Sequence, residues 1–402
     1  MAVARVSRHA GEAVRRGHPW IFRSAVGQVS SREEQGLIVR IVAEHDGQRE
    51  AVLGAGVFDP ISPIAIRVWS VGADARLDAG VFRERLVRAI ALRGELFADG
   101  ATDAYRVLNG EGDRTPGIVV DRYADVAVLR IDGDATRAVS PLLLTSLEPI
   151  LRDAGVTTLL ERIPSRDAGG RDTTVAVRFG PERSRVVVRE HGVPFVVDVA
   201  RGQKTGAFLD QRENRRRVGE LVAARARAGL GTRTLNLFSY TGGFSQRAAL
   251  AGATVTSVDV AAKAHATAQE SFRLAGLDPA EHTFVTADAF AWLAEAKRKG
   301  QTWDVVISDP PSFAPSERAK PKAISAYRAL HRSCADVLAP GGRLVAASCS
   351  SHVSLEDFLS TLDDAALGRS DLRVLESFGP PPDHPTVAPF FEGRYLKLAM
   401  LA

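Results

Sequence analysis

The chain has 402 residues, 45% of them hydrophobic and 25% charged, the proportions of a folded protein rather than a disordered one. At ~150 residues per domain it holds two or three domains. No apolar run approaches the ~20 residues of a membrane-spanning helix, and residues 1–20 carry arginines without a hydrophobic stretch, so neither membrane association nor a secretory leader is expected.

Two cysteines, Cys334 and Cys349, are too few for a disulfide framework or the usual zinc sites, and the nine histidines form no His-x-x-x-His pair. No metal is expected, and a reducing, cytoplasmic setting is the natural reading. The net charge is +4, but only seven of the 52 cations are lysines. Arginine suits phosphate forks and base faces; a GC-rich genome favours it as well. The basicity permits nucleic-acid binding without establishing it.

In chain order, residues 1–72 read as short strands (Ala2–Ser7, Gly36–Ala43, Arg49–Val57, Ile64–Val68) broken by Gly17-His18-Pro19, Asp46-Gly47 and Asp59-Pro60. This pattern predicts a small β-barrel or sandwich without helices. Residues 73–184 predict an α+β domain: a helix over Ala79–Phe97 and another near Ser140–Ala154, with strands at Gly117–Asp121, Val126–Ile131, Thr157–Arg162 and Thr174–Phe179. A hairpin linker over 185–200 turns at His191-Gly192. From 201 to 402 the rhythm becomes strand, helix, strand, helix. Strands are predicted at Arg233–Phe238, Thr254–Asp259, Thr283–Ala287, Asp304–Ser308 and Arg343–Ala347, with helices near 212–228, 244–251, 261–275, 289–299 and 321–338. Such alternation predicts an α/β fold with a parallel, doubly wound, Rossmann-like sheet.

Ligands of such sheets sit beyond the carboxyl ends of the strands. There this sequence places the turn Tyr240-Thr241-Gly242-Gly243, then Asp259, Asp288, Asp309 and Cys349. Each Asp taken singly could be a helix N-cap; five polar features in register argue for a site. The turn is not the Gly-x-Gly-x-x-Gly that seats a pyrophosphate, yet Asp259 stands where a carboxylate can accept both hydroxyls of a ribose. A ribose carboxylate without a pyrophosphate turn points to S-adenosylmethionine rather than NAD. Asp309-Pro310-Pro311-Ser312-Phe313 forms a stiff loop suited to a planar base, with polar groups for its edge and Phe313 for its face; a paired base would first have to be flipped out. Cys334 falls at core spacing on a helix. Cys349 falls at the ligand-facing end of the sheet, where a nucleophile or a buried core thiol would both fit. An ordinary thiol with a pKa of ~8.5 is mostly protonated at pH 7, so a nucleophilic Cys349 needs a local positive field.

These residues resemble class I S-adenosylmethionine-dependent methyltransferases, and in particular the enzymes that form 5-methylcytosine in large-subunit ribosomal RNA. The resemblance runs the length of the chain. Gly17-His18-Pro19-Trp20-Ile21-Phe22 is similar to the opening of that family's N-terminal PUA domain, an RNA-binding β-barrel. Asn109-Gly110-Glu111-Gly112-Asp113 with Asp121-Arg122-Tyr123 is similar to its central domain, and Lys204-Thr205-Gly206 with Phe208-Leu209-Asp210-Gln211-Arg212 to its lead into the catalytic domain. The resemblance implies cofactor contacts from Phe208, Asp210, Arg212, Phe238, Ser239, Tyr240, Thr241, Gly242, Asp259, Asp288, Ala289 and Asp309. It implies catalysis by Cys349 and Asp309, and substrate contacts from Pro310, Pro311, Ser312, Phe313 and Lys204. Arg15 and Arg16, in an arginine-rich stretch, are candidates for phosphate contact, with a solvated surface as the alternative. Ser312 stands where other RNA 5-methylcytosine enzymes carry a second cysteine.

Two other readings stay open at this point: a guanine-N7 or other base-nitrogen methyltransferase, which needs no nucleophilic cysteine, and a non-catalytic RNA-binding or ribosome-assembly protein. The sequence leaves the modified base position, the base that removes the C5 proton, and the oligomeric state open, a homodimer being one option.

Overall fold

The computed structural model describes residues 1–30, 36–43, 51–164 and 173–402. The chain forms two compact units. The first comprises 1–186, 197–207 and 382–393, the second 187–196, 208–381 and 394–402. The Asp46-Gly47 turn and the first two residues of the expected strand Arg49–Val57 lie outside the described residues.

The first unit opens with a six-stranded sheet made of β1 (Ala2–Val6), β2 (Trp20–Phe22), β3 (Val26–Val29), β4 (Leu37–Ala43), β5 (Val52–Phe58) and β6 (Ile64–Val71). Their order is β2-β6-β5-β4-β1-β3. A helix, α1 (Arg8–Arg15), also occurs here, where none was expected. It is two turns long, is capped by the Ser7 hydroxyl, and buries only Ala10, Gly11 and Val14. A stripe that short among arginines gives little periodic signal. The second sheet contains β7 (Ala104–Asn109), β8 (Ile118–Tyr123), β9 (Val126–Ile131), β10 (Thr158–Pro164) and β11 (Thr173–Phe179), ordered β11-β10-β9-β8-β7. Phe82 and Leu86 of α2 (Ala79–Leu96) share a core with Ile118, Val120 and Leu129 of this sheet. The single helix expected over 140–154 is two, α3 (Asp134–Leu143) and α4 (Leu147–Asp153). Pro149 explains the break, because its ring clashes with the carbonyl four residues earlier and forces a new helix start. Arg93 is buried and forks both oxygens of Asp113 at 2.8 Å while donating to the Asp383 carbonyl at 2.7 Å. That contact anchors the late segment 382–393 to this unit. A hairpin, β12 (Arg185–Glu190) and β13 (Val193–Asp198), turns at His191-Gly192 with φ of 47° and 78°, as a two-residue turn between right-twisted strands requires.

In the second unit, β14 (Thr234–Leu237), β15 (Val255–Asp259), β16 (Thr283–Thr286), β17 (Trp303–Ser308) and β18 (Leu338–Ser348) run parallel. Helix α5 (Arg212–Arg227) precedes β14, and between the strands lie α6 (Gly243–Leu250), α7 (Ala262–Leu274), α8 (Ala289–Arg298) and α9 (Lys320–Asp336). Short helices α10 (Leu355–Leu359) and α11 (Asp364–Leu367) precede β19 (Val374–Phe378) and β20 (Lys397–Leu401). The sheet order is β16-β15-β14-β17-β18-β20-β19, and β20 is antiparallel to both neighbours. The expected wholly parallel sheet is therefore mixed. Successive strand residues bury opposite faces. Leu235, Leu237, Val306 and Leu344 pack with α8 and α9, whereas Val305, Ile307 and Val345 pack with Val218, Phe244 and Phe272 of α5, α6 and α7. The second unit is thus a doubly wound α/β fold.

Candidate active site

The chain leaves β14 for β15 and β16 on one side, then returns to place β17 on the other. The carboxyl ends of β14 and β17 thus flank the point where strand order reverses, the ligand crevice of open α/β sheets. The turn after β14 sits there. Phe238, Tyr240 and Gly242 all take left-handed φ, of 56°, 47° and 76°. Two non-glycine residues in that region are held by their surroundings: the Tyr240 amide donates to Asp259 Oδ2 at 2.8 Å, and the Phe208 ring meets the Tyr240 ring edge-on at 5.5 Å. A Cβ on Gly242 would lie 2.9 Å from the Cβ of Ala268, so glycine is required there both for backbone conformation and for space. Gly242 is the N-cap of α6 and offers no capping side chain. The Ser239 hydroxyl is buried and has no hydrogen-bond partner among the described residues.

Asp259 ends β15 and holds two backbone amides, Tyr240 on Oδ2 and Ala261 on Oδ1, each at 2.8 Å. Val260 beside it is 70% exposed, unusual for valine. Asp288 is exposed and caps α8 by accepting from the Ala291 amide at 2.9 Å, the structural role weighed for it from sequence. Its neighbour Ala289 is buried and Phe290 is partly exposed.

The β17 and β18 ends lie side by side. Asp309 Oδ1 accepts from Gln211 Nε2 at 2.9 Å, and Gln211 is fixed in turn by Asn214 Nδ2 at 2.6 Å. Pro310 is buried, while Pro311 and Ser312 are exposed. Cys349 is partly exposed, with Sγ 3.9 Å from the Pro310 carbonyl oxygen. Ser312 Oγ is 3.0 Å from Ser350 Oγ, which lies 2.9 Å from Tyr327 Oη; Ser348 donates to the same tyrosine at 2.9 Å. Burial pushes the Tyr327 phenol up, so it stays neutral. Phe313 packs at 4.8 Å on Tyr327 and is tilted towards Phe290. Cys334 is fully buried on α9 and its thiol is pushed up to about 12 by burial, leaving it inert.

Asp210 Oδ2 accepts from the Tyr395 hydroxyl at 2.6 Å, and Arg212 is buried with its Nε 3.0 Å from Glu213. All of these residues belong to the second unit. Lys204, Arg15 and Arg16 belong to the first: Lys204 has φ 54° and is partly exposed, while Arg15 and Arg16 are exposed at the end of α1. Sequence reasoning missed Gln211 as the residue holding Asp309, and missed Tyr327, Tyr395 and Lys397. Lys397 carried a signal, a lone charge in the run Leu396-Lys397-Leu398-Ala399-Met400-Leu401.

Comparison with known proteins decides the family. Residues 176–398 match the S-adenosylmethionine-dependent methyltransferase family and residues 4–71 a PUA-like domain. A ribosomal RNA large subunit methyltransferase of Deinococcus radiodurans is 41% identical over 99% of this chain and 96% of its own. The chain belongs to this S-adenosylmethionine-dependent ribosomal RNA large subunit methyltransferase family. Ribosomal RNA large subunit methyltransferase I of Shewanella denitrificans is 34% identical over 96% of this chain and 95% of its own. In fold, the chain resembles an S-adenosylmethionine-dependent methyltransferase of Streptococcus mutans (TM-score 0.84, 24% identity) and SMU.776 complexed with SAH (TM-score 0.84, 23%), with complete coverage of both chains in each case.

The family's cofactor is S-adenosylmethionine, and the site has the chemistry to hold it. Asp259 retains lone pairs for two hydroxyls after accepting two amides. The unpartnered Ser239 hydroxyl and the uncapped start of α6 offer polar groups to the charged amino-acid end. Val260, next to Asp259, and Phe290, two residues after Asp288, leave apolar surface exposed.

Proposed function

We propose that this protein uses S-adenosylmethionine to form 5-methylcytosine in large-subunit ribosomal RNA through a covalent bond between Cys349 and C6 of the base. The observation that carries this reading is the placement of Cys349 against Pro310 at 3.9 Å, beside the loop that Asp309 opens. A base-nitrogen methyltransferase has no use for a thiol there.

In this reading Asp259 binds the ribose hydroxyls, and the turn Phe238–Gly242, with Ser239, holds the amino-acid end. Val260 and Phe290 enclose the adenine near Asp288 and Ala289. Phe208, Asp210 and Arg212 line the same side. When bound, the cofactor supplies an electrophilic methyl group. Cytosine C5 is a weak nucleophile, so the chain's residues must first enrich it. The Cys349 thiolate adds to C6, and the C5=C6 electron pair moves towards the ring nitrogen. Asp309, fixed by Gln211, sits at the N3 edge and favours the protonated or hydrogen-bonded ring. After the methyl enters at C5, a base takes the C5 proton, the C–H electron pair re-forms C5=C6, and the C6–S bond breaks with its pair returning to sulfur as the thiolate. Pro310, Pro311, Ser312 and Phe313 position the base, and holding both reactants in line supplies much of the acceleration.

Residues 1–72 serve as the RNA-binding PUA domain and 73–184 as a central domain, joined by 185–200 to the catalytic domain 201–402. Arg15, Arg16 and Lys204 contact phosphate. A ribosomal RNA substrate implies work in the cytoplasm.

The test is methyl transfer from isotope-labelled S-adenosylmethionine to large-subunit ribosomal RNA lacking its native methylations, read by nucleoside mass spectrometry. Label in 5-methylcytidine that disappears with Cys349→Ser is the expected outcome. Label in 7-methylguanosine, or full activity of Cys349→Ser, would overturn it.

A further inference from the structure

Lys397 is the only charged residue of β20 and is 4% exposed. Burying an ammonium is unfavourable unless something offsets it. Nζ donates to the carbonyl oxygens of Ser350 and Val353, each at 2.6 Å. Both carbonyls belong to the loop that Cys349 opens, and the β18–β20 register sets Ser348 directly opposite Lys397. A cation is thus built beneath the thiol-bearing loop. Carbonyl dipoles hold the ammonium but leave its net charge in place. The carboxylate that also acts on it, Asp357 of α10, is already engaged by Lys320 at 2.7 Å and by the Ser354 hydroxyl at 2.6 Å.

We propose that Lys397 is a positioning residue for Cys349, its buried ammonium holding the sulfur as the thiolate that attacks the base. The use of that thiolate rests on the function proposed above. The chemistry balances without a further reagent: the S–H proton passes to water and the sulfur keeps its electron pair. When the C6–S bond later breaks, the thiolate returns beside the same cation. Burial lowers Lys397 to about 8, and the charge on Cys349 acts in the opposite sense. The coupling is reciprocal, so the cation favours the thiolate to the same degree. At pH 7 the ammonium form dominates.

The other titratable groups around this pair do not supply the charge. Tyr327 of α9 is kept neutral by burial, and Lys320 of α9 is paired with Asp357. His352 lies 3.3 Å from Glu317. Asp309 is acidic and supplies no positive charge.

The experiment is iodoacetamide alkylation of the full chain between pH 5 and 10, with the modified cysteine identified by mass spectrometry, for wild type, Lys397→Met and Lys397→Arg. Wild-type Cys349 should alkylate with an inflection at least one pH unit below the ~8.5 of an ordinary thiol. Lys397→Met should slow alkylation at pH 6.5 at least tenfold, and Lys397→Arg should stay within about threefold of wild type. A wild-type inflection at 8.5 or above, or Lys397→Met within twofold of wild type, would overturn the proposal. A thermal melt accompanies each variant; if Lys397→Met does not fold, the wild-type inflection decides. Because alkylation uses neither RNA nor methyl transfer, a product other than 5-methylcytidine would refute the proposed reaction without touching this charge coupling. An ordinary wild-type inflection in an enzyme that makes 5-methylcytidine would do the reverse.

Discussion

Replacing Asp259 by asparagine isolates the ribose contact. The carboxylate has about four lone-pair sites, and two are taken by the Tyr240 and Ala261 amides at 2.8 Å. Two remain for the cofactor hydroxyls. Hydrogen bonds to a charged acceptor contribute about 1.5–3 kcal/mol each. Asparagine keeps one acceptor oxygen, loses the charge and turns a donor towards one of the amides. The expected loss is about 2–4 kcal/mol, or roughly 30- to 1,000-fold in Kd for S-adenosylhomocysteine. Calorimetric titration measures it. Because Asp259 also braces the Tyr240 turn, the variant alone cannot separate ribose binding from loop support. Titrating both proteins with a 3′-deoxyribose analogue can. Wild type should lose affinity for the analogue, whereas Asp259→Asn should lose little more, since the contact is already weakened. If the variant pays the full hydroxyl penalty again, Asp259 is a brace for the turn and the ribose assignment is wrong.

Burial lowers His331 to about 4, so the folded chain resists protonation that the unfolded chain accepts near 6.5; stability is therefore present above pH 6.5 and is lost as pH falls towards 4. The loss should approach about 3 kcal/mol, seen as a falling urea midpoint that is largely flattened in His331→Gln. In the first unit, Arg93→Met leaves the Asp113 carboxylate buried without its fork and should destabilise by about 3–5 kcal/mol; a loss under 1 kcal/mol in chemical unfolding would contradict that reading. Arg15→Ala with Arg16→Ala removes two exposed cations from the end of α1. If they meet phosphate, the log–log salt slope of RNA binding should become shallower by about 2, and an unchanged slope would remove them from the interface.

The methyltransferase sheet was legible because strands buried on both faces are continuous apolar runs that end abruptly in polar residues. Val305–Ile307 and Leu344–Ala347 are such runs, followed by Ser308-Asp309 and by Ser348-Cys349, whose places at the strand ends marked the candidate site. The antiparallel strands were less legible. β19 exposes Val374, Leu375 and Glu376, so its pattern lacks a buried face, and β20 carries a lysine among apolar residues, which reads as a polar interruption. α1 was hidden because a two-turn helix offers one short stripe. Gln211 and Tyr327 reach the site only through tertiary contact, which no local spacing encodes.

What unites the site is that two adjacent strand ends are tied to each other by side chains as well as by the sheet. Ser312 from the β17 loop meets Ser350 from the β18 loop, and Tyr327 of α9 gathers Ser348 and Ser350 from below. Lys397 grips the far side of the β18 loop through two carbonyls. Asp309 and Cys349 therefore sit on loops whose separation is set by hydroxyl contacts rather than by loop flexibility. Ser312 has in Ser350 a bonding partner that a thiol would hold less well. In the proposed reaction this hydroxyl contact helps set the spacing of the carboxylate and thiol loops, on which addition of Cys349 to C6 would depend.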